Sequence, residues 1–221
     1  MITLTCDALL FDLDGVLIDS NDVYETHWAI WAKERRVSVE HILHVHHGRP
    51  VTETIRLVAP HLDPIVEAEA YRDGLAASNH LERVRLFPGV ASLLEYLPLD
   101  RWAIVTSAPR TSALQMLRHV ALPTPKVFIS GDDISQGKPA PDPYLRAARG
   151  LNHQIEHCVV IEDAPAGIQS GLSAGAQVIA VQTTNPSDSL KEADLIVNTI
   201  ADLQIQHVDS HLKISCRPRG M

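Results

Sequence analysis

Cysteine is scarce: Cys6, Cys158 and Cys216 are the only three, an odd number at wide spacings. That fits neither a disulfide framework nor a thiolate metal site, and reduced thiols are expected. Long hydrophobic runs are missing as well. The apolar run at residues 8–11 stops at Asp12, and nothing approaches the ~18 consecutive apolar residues of a membrane span. The N-terminus has no signal-peptide pattern, so a cytoplasmic protein with no membrane partner is expected. Positive charge is in deficit too, with 19 Lys and Arg against 27 Asp and Glu and a formal net charge of −8. A nucleic-acid partner is thereby excluded, because phosphate-backbone binding needs a basic surface. An anionic substrate would have to meet local positive charge, from a metal or a few placed cations. There is no internal repeat or low-complexity segment. What remains is ordinary for a soluble protein: 221 residues, 45% of them hydrophobic, enough for one large core with an inserted subdomain.

The chain is organised around Ala8-Leu9-Leu10-Phe11-Asp12-Leu13-Asp14-Gly15. Four apolar residues bounded by charge and glycine predict a strand covered on both faces, as in a parallel α/β sheet. Ligands of such sheets bind at the carboxyl ends of the strands. Asp12 and Asp14, two residues apart, share a side if the extended conformation persists, and Gly15 lets the backbone turn away. For this stretch alone, the alternative is that the acids cap a helix or face water.

Downstream, helical spacing of Trp28, Trp31 and Ala32 follows Ser20 or Asn21 as N-cap. Further helices are expected over Val39–His46, Thr52–Val58 and Pro64–Ser78, the last capped by Asp63. Residues 16–84 therefore read as a helical insert, with 1–15 and 85–221 forming the main domain. After the break at Phe87-Pro88-Gly89, helix and strand alternate. Strands are expected at Trp102–Val105, Val127–Ile129, Cys158–Ile161, Val178–Val181 and Asp194–Val197, with helices near 90–97, 111–119, 142–149 and 166–174. That alternation predicts a parallel, Rossmann-like α/β sheet. The alternating residues around Asp209-Ser210 suggest a β-hairpin appended at the sheet edge; the other reading is a disordered tail.

Polar groups follow three of these strands. Thr106 and Ser107 present hydroxyl and N–H donors suited to phosphoryl oxygens. Lys138 lies in a proline-stiffened loop that can hold a compact ammonium charge. Glu162 and Asp163 add hard oxygen ligands suited to Mg²⁺.

This ordered set, Asp12-Leu13-Asp14-Gly15, Thr106, Lys138 and Glu162-Asp163, resembles the haloacid dehalogenase-like phosphohydrolases. The resemblance covers all but the last twenty or so residues, and the insert stands where that family places its small (C1-type) helical cap. Within the family, residues 102–108, 137–145 and 159–168 look most like sugar phosphatases acting on hexose, hexitol, 2-deoxyglucose or glycerol phosphates. The resemblance implies Asp12 as nucleophile through an aspartyl-phosphate and Asp14 as acid, then base. It further implies Thr106 and Lys138 orienting the phosphoryl group, and Mg²⁺ on Asp12, Asp14 and Asp163 with Glu162 nearby. Val16 stands where many members carry Thr, and Ala108 where Gly is frequent; neither removes a reacting group.

Weaker signals lie in the insert. His47, Gly48 and Arg49, together with Ser107, are expected to contact substrate, Arg49 alternatively being a solvated charge. The dense His41, His44, His46 and His47 reads as exposed or pocket-rim histidines in preference to a second metal site. Trp28 and Trp31 read as cap core in preference to a stacking platform. Gly167, Gly171 and Gly175 are expected to let their helix pack closely on the sheet. The resemblance implies a small phosphorylated metabolite as partner, and a monomer or weak homodimer is expected. Two rivals to a Mg²⁺-dependent sugar or polyol phosphatase are a phosphosugar mutase and a non-catalytic sugar-phosphate-binding regulator.

Overall fold

The computed structural model describes residues 2–77 and 80–216. In chain order its first elements are β1 (Ile2–Cys6), β2 (Ala8–Phe11), β3 (Ile18–Asp19), α1 (Asn21–Arg35), α2 (Val39–Val45), α3 (Val51–Val58) and α4 (Pro64–Ala77). Then come β4 (Arg85–Leu86), α5 (Val90–Tyr96), β5 (Trp102–Val105), α6 (Arg110–His119), β6 (Val127–Ile129), α7 (Asp142–Gly150) and β7 (Cys158–Glu162). The chain closes with α8 (Pro165–Ala174), β8 (Gln177–Val181), β9 (Leu195–Val197), β10 (Leu203–Val208) and β11 (His211–Cys216). Ser78, expected to end α4, lies outside the described residues. Among the described residues, no helix is long and apolar enough to cross a membrane.

Six parallel strands form the main sheet in the order β6-β5-β2-β7-β8-β9. The expected α/β alternation is thus the observed architecture. Strand β2 is central, and the chain leaves it first toward β5 and β6, then returns to β7 on its other side. That reversal opens a crevice at the carboxyl ends of β5, β2 and β7, the position where open α/β sheets bind ligands. Because side chains alternate along a strand, the sheet has two cores. Leu9, Phe11, Trp102, Ile104, Val159 and Ile161 pack on one face. Leu10, Ala103, Val105, Cys158, Val160 and Tyr144 of α7 pack on the other.

Three features differ from expectation. The C-terminal hairpin forms, with Asp209 at its turn in the left-handed region (φ 53°). It does not extend the main sheet, however. It pairs with β1 in a separate antiparallel sheet of order β1-β11-β10. The Ile2-Thr3-Leu4-Thr5-Cys6 alternation that makes β1 is short and largely exposed, so hydrophobic periodicity alone does not mark it. The helices α1 to α4 are bracketed by a second unexpected pairing, β3 with β4, Ile18 opposite Leu86 and Asp19 opposite Arg85. Finally, Gly175 is not a packing residue but the left-handed C-cap of α8 (φ 94°). Gly171 does have the expected role, since a Cβ there would lie 2.8 Å from Val178 Cγ2.

Within the insert, Asp63 caps α4 as expected, its Oδ1 accepting from the N–H groups of Ile65 (2.9 Å) and Val66 (3.3 Å). Trp28 and Trp31 are both buried and meet edge to face, with ring centroids 5.5 Å apart. Trp31 also donates to Glu67 Oε2 (3.0 Å), which satisfies its indole N–H.

Candidate active site

Asp12 follows β2 directly, and its N–H continues the parallel ladder by donating to Ile161 O of β7 (3.0 Å). The residue is 4% exposed, and Oδ1 accepts from Lys138 Nζ at 2.8 Å. Lys138 reaches across from the loop before α7 and is itself 1% exposed. Its ammonium also donates to Glu162 Oε1 (2.6 Å) and Val105 O (3.1 Å), so three acceptors from three neighbouring strands hold it. Burial works against the charged amine, but Asp12 and Glu162 prevail and hold the Lys138 pKa above its usual value.

Glu162 is satisfied on every side. Oε1 also accepts from Tyr144 Oη (2.7 Å), and Oε2 from the N–H groups of Asp163 (3.0 Å) and Ala164 (3.4 Å). Helix α8 must come close above it, and Gly167 permits this: a Cβ there would overlap Glu162 Oε1.

Asp14 sits beyond the end of β2, where the chain is already turning. Its Oδ1 accepts from Ser20 Oγ (2.6 Å) and its Oδ2 from Thr106 Oγ1 (3.3 Å). Ser20 therefore occupies the N-cap position of α1 without capping it, its hydroxyl being directed to Asp14. Burial raises the Asp14 pKa, against the bonds from Ser20 and Thr106. Burial also pushes Asp12 up to about 7, with Glu162 and Asp14 adding to the shift and Lys138 opposing it.

Gly15 turns the chain at φ 82°, and a Cβ there would overlap Asp163 Oδ2. Only glycine meets both conditions. Asp163 is fixed from the loop after β8: Thr184 Oγ1 donates to its Oδ2, and Asn185 Nδ2 to its backbone O (3.1 Å). Thr183 Oγ1 donates to Gly15 O. Burial, then the charges of Glu162 and Asp12, raise the Asp163 pKa well above the carboxylate range.

Ligand atoms of Asp12, Glu162 and Asp163 lie within 4.8 Å of one another. Four carboxyl groups, counting Asp14, thus share one ammonium. Every donor is a hard oxygen, and a divalent cation such as Mg²⁺ fits both the donor chemistry and the excess negative charge. Among the described residues this is the single such group of three or more His, Cys, Asp or Glu side chains. His41 and His44 are exposed and take no part in one. His46, read from the sequence as exposed or at a pocket rim, is buried.

Thr106 and Ser107 are less free than their sequence suggests. The Thr106 N–H donates to Ile129 O (2.9 Å), and Thr106 Oγ1 accepts from the Ala108 N–H (3.0 Å). Ser107 Oγ donates to Gly48 O (3.1 Å), joining the β5 loop to the insert. A cavity runs between them. Asp12, Asp14, Thr106, Ser107 and Asp163 line it from the sheet, and Trp28, His46, His47, Gly48, Arg49 and Tyr71 from the insert. His47 Nε2 lies 3.3 Å from Asn21 Oδ1, and Arg49 Nη1 donates to Val45 O at the end of α2 (2.6 Å). Tyr24 lines the cavity as well, and Ser20, Tyr24, Tyr144, Thr183, Thr184 and Tyr71 are site residues that sequence reasoning missed.

Comparison with known proteins agrees with this geometry. The family model described as haloacid dehalogenase-like hydrolase matches residues 9–181. Hexitol phosphatase A of Escherichia coli (strain K12) is 36% identical over 203 residues, covering 90% of this chain and 94% of that protein. Glycerol-1-phosphate phosphohydrolase 2 of Saccharomyces cerevisiae is 34% identical over 220 residues, covering 92% and 86% respectively. Among solved structures, a beta-phosphoglucomutase from Clostridium difficile superposes with a TM-score of 0.75 at 22% identity, over 88% of this chain and 91% of that one. At that identity the likeness concerns the fold alone. With the family model spanning most of the sheet and these relatives spanning nearly the whole chain, the protein belongs to the haloacid dehalogenase-like hydrolases.

Proposed function

We propose that this protein is a Mg²⁺-dependent phosphatase of small sugar or polyol phosphates, acting through an aspartyl-phosphate on Asp12. The observation that carries the reading is the buried contact of Asp12 Oδ1 with Lys138 Nζ at 2.8 Å, behind the wall of a cavity that Asp12 and Asp14 line. One Asp12 oxygen is held by the ammonium, which leaves the other to attack phosphorus. The Lys138 charge also attracts the phosphoryl oxygens. Asp14, steadied by Ser20 and Thr106, gives its proton to the departing sugar oxygen and then takes one from the attacking water. Burial raises the Asp14 pKa, the direction a general acid needs.

Asp12 and Asp163 through their carboxylates, and Asp14 through its backbone carbonyl, would hold the metal, with Glu162 beside them and occupied in positioning Lys138. Magnesium, when bound, offsets the repulsion between an anionic nucleophile and an anionic phosphoryl group. Residues 16–84 act as the cap over a core of 1–15 and 85–221, a division supported by the β3–β4 pairing at its root. Ser107, His47, Gly48 and Arg49 lie along the substrate's path. The printed names of the hexitol and glycerol phosphate relatives support the substrate class. Three free, buried cysteines suit a cytoplasmic enzyme.

A mutase needs a second phosphate site in the cap, and of the two insert arginines that line the cavity Arg49 has its guanidinium on Val45 O and Arg72 is exposed. The phosphatase reading is preferred on that ground. Phosphate release from hexitol, 2-deoxyglucose, glycerol and p-nitrophenyl phosphates, with Mg²⁺ and with excess chelator, tests it. Turnover of the polyol and sugar esters that stops in chelator is expected. Full activity in chelator, or activity only after addition of a sugar bisphosphate, contradicts it.

A further inference from the structure

Buried polar side chains without a partner are uncommon in folded proteins, and each one calls for an explanation. Among the described residues four such atoms occur: His46 Nε2, Tyr71 Oη, Trp102 Nε1 and Gln182 Oε1. Two of the four, His46 and Tyr71, belong to residues lining the cavity that contains Asp12 and Asp14. The two come from different elements, His46 from the end of α2 and Tyr71 from the middle of α4, and meet around Trp28. The Trp28 and Tyr71 rings lie 4.1 Å apart at 35°, and the Trp28 and His46 rings 6.3 Å apart. Helix packing thus holds both rings in place while leaving their polar atoms unpaired.

Both groups are neutral. Burial, aided by His47, lowers His46 to about 3, and burial, aided by the charge of Asp14, raises the Tyr71 phenol well above its usual value. A neutral imidazole and a phenol match an uncharged hydroxyl, which both donates and accepts. Arg49, on Val45 O, and the exposed Arg72 also line the cavity, so the match to an uncharged hydroxyl is a property of the His46 and Tyr71 groups themselves.

We propose that Tyr71 and His46 determine specificity by hydrogen-bonding hydroxyl groups of the leaving group, so that the substrate is a polyol monophosphate with an uncharged far end. This deepens the phosphatase reading above and rests on it. The Trp28 and Tyr71 rings supply the apolar face against which the carbon chain packs.

The test compares glucitol 6-phosphate with n-hexyl phosphate, esters of equal chain length with and without hydroxyls. The unaltered enzyme is expected to favour the polyol ester in kcat/KM by about 100-fold or more, because a site built for hydroxyls rejects the analogue lacking them. Tyr71→Phe, which keeps the ring, should narrow that ratio about tenfold. His46→Leu should act in the same direction. A ratio unchanged in both variants while turnover persists overturns the inference and leaves the phosphatase reading standing. If neither ester is turned over, calorimetric binding of glucitol 6-phosphate to Asp12→Asn protein decides the inference, the phosphatase reading resting on the wider panel of esters above. Binding weakened about tenfold by Tyr71→Phe upholds it. Binding that is absent, or equal with and without the hydroxyl, overturns it.

Discussion

Replacing Lys138 by methionine removes a charge at nearly constant shape. In the intact protein the ammonium is 1% exposed and joins Asp12 at 2.8 Å, Glu162 at 2.6 Å and Val105 O at 3.1 Å. Without it two buried carboxyl groups face each other uncompensated. Breaking a buried pair by removing one partner costs about 3–5 kcal/mol. For a chain of this size that lowers Tm by roughly 6–20 °C.

The loss has a pH signature. Burial pushes Asp12 up to about 7 in the intact protein, against the opposing charge of Lys138. Removing Lys138 takes away an opposite charge and raises that value further. Between pH 7 and the new value the variant therefore takes up one proton on folding, at Asp12, and the parent none; the proton of Lys138 itself is carried by the parent both folded and unfolded and cancels. The variant's stability falls relative to the parent by up to about 1.4 kcal/mol per pH unit across that window. Below pH 7 both folded forms hold the proton, and the gap is constant. Urea unfolding followed by circular dichroism, in chelator at pH 6 and pH 8.5, measures it. Adding Glu162→Gln to Lys138→Met should restore part of the loss, since one of the stranded charges is gone. A penalty under about 1 kcal/mol at pH 8.5, or one equal at both pH values, refutes the reasoning.

Asp14→Asn should slow phosphoenzyme formation less with p-nitrophenyl phosphate, whose leaving group needs little protonation, than with a sugar phosphate; equal losses in single-turnover kinetics argue against the acid role. Gly15→Ala is expected to destabilise the protein by about 3 kcal/mol or more, since the φ is unfavourable and the new Cβ overlaps Asp163; an unchanged urea midpoint contradicts this. Asp7 gathers His211 (2.7 Å), His157 (3.4 Å) and His153 (3.8 Å) at the opposite edge of the sheet. Burial alone would raise its pKa, but the His211 bond and the histidine charges bring it below its ordinary value. A depressed acid stabilises above its unfolded pKa and loses that contribution as pH falls through the folded one. Asp7→Asn should therefore cost about 1 kcal/mol near pH 6, a cost that shrinks as pH falls below the ordinary carboxylate value; a pH-independent cost would show that the charge is immaterial.

Most of the main sheet was legible because its strands are short apolar runs separated by amphipathic helices, a pattern set by local periodicity. The ends of those strands were legible for the same reason: Asp12, Thr106 and Glu162-Asp163 interrupt apolar runs and so stand out. Strands β1, β3 and β4 were not, because their pairing joins residues far apart in the chain, Asp19 with Arg85 and Ile2 with Cys216, and rests on few buried side chains. The supporting hydroxyls escaped notice for a related reason. Ser20 looks like a helix cap and Thr184 like a loop residue, and only the fold brings them to Asp14 and Asp163. His46 reads as one of four clustered histidines, and Tyr71 as an ordinary member of a helix. Their distinction is a missing partner, which is a property of the packed structure and not of the chain.

The account stands on Asp12 as the nucleophile, and trapping its phosphorylated form tests this most directly. Enzyme turning over a hexitol phosphate is acid-quenched and treated with borohydride, which reduces an acyl phosphate to an alcohol, and the reduced residue is located by peptide mass spectrometry. Reduction at Asp12, dependent on substrate and absent from Asp12→Asn protein, is the predicted result. Turnover accompanied by reduction at another carboxylate, or by none under conditions that reduce a synthetic acyl phosphate, would contradict it.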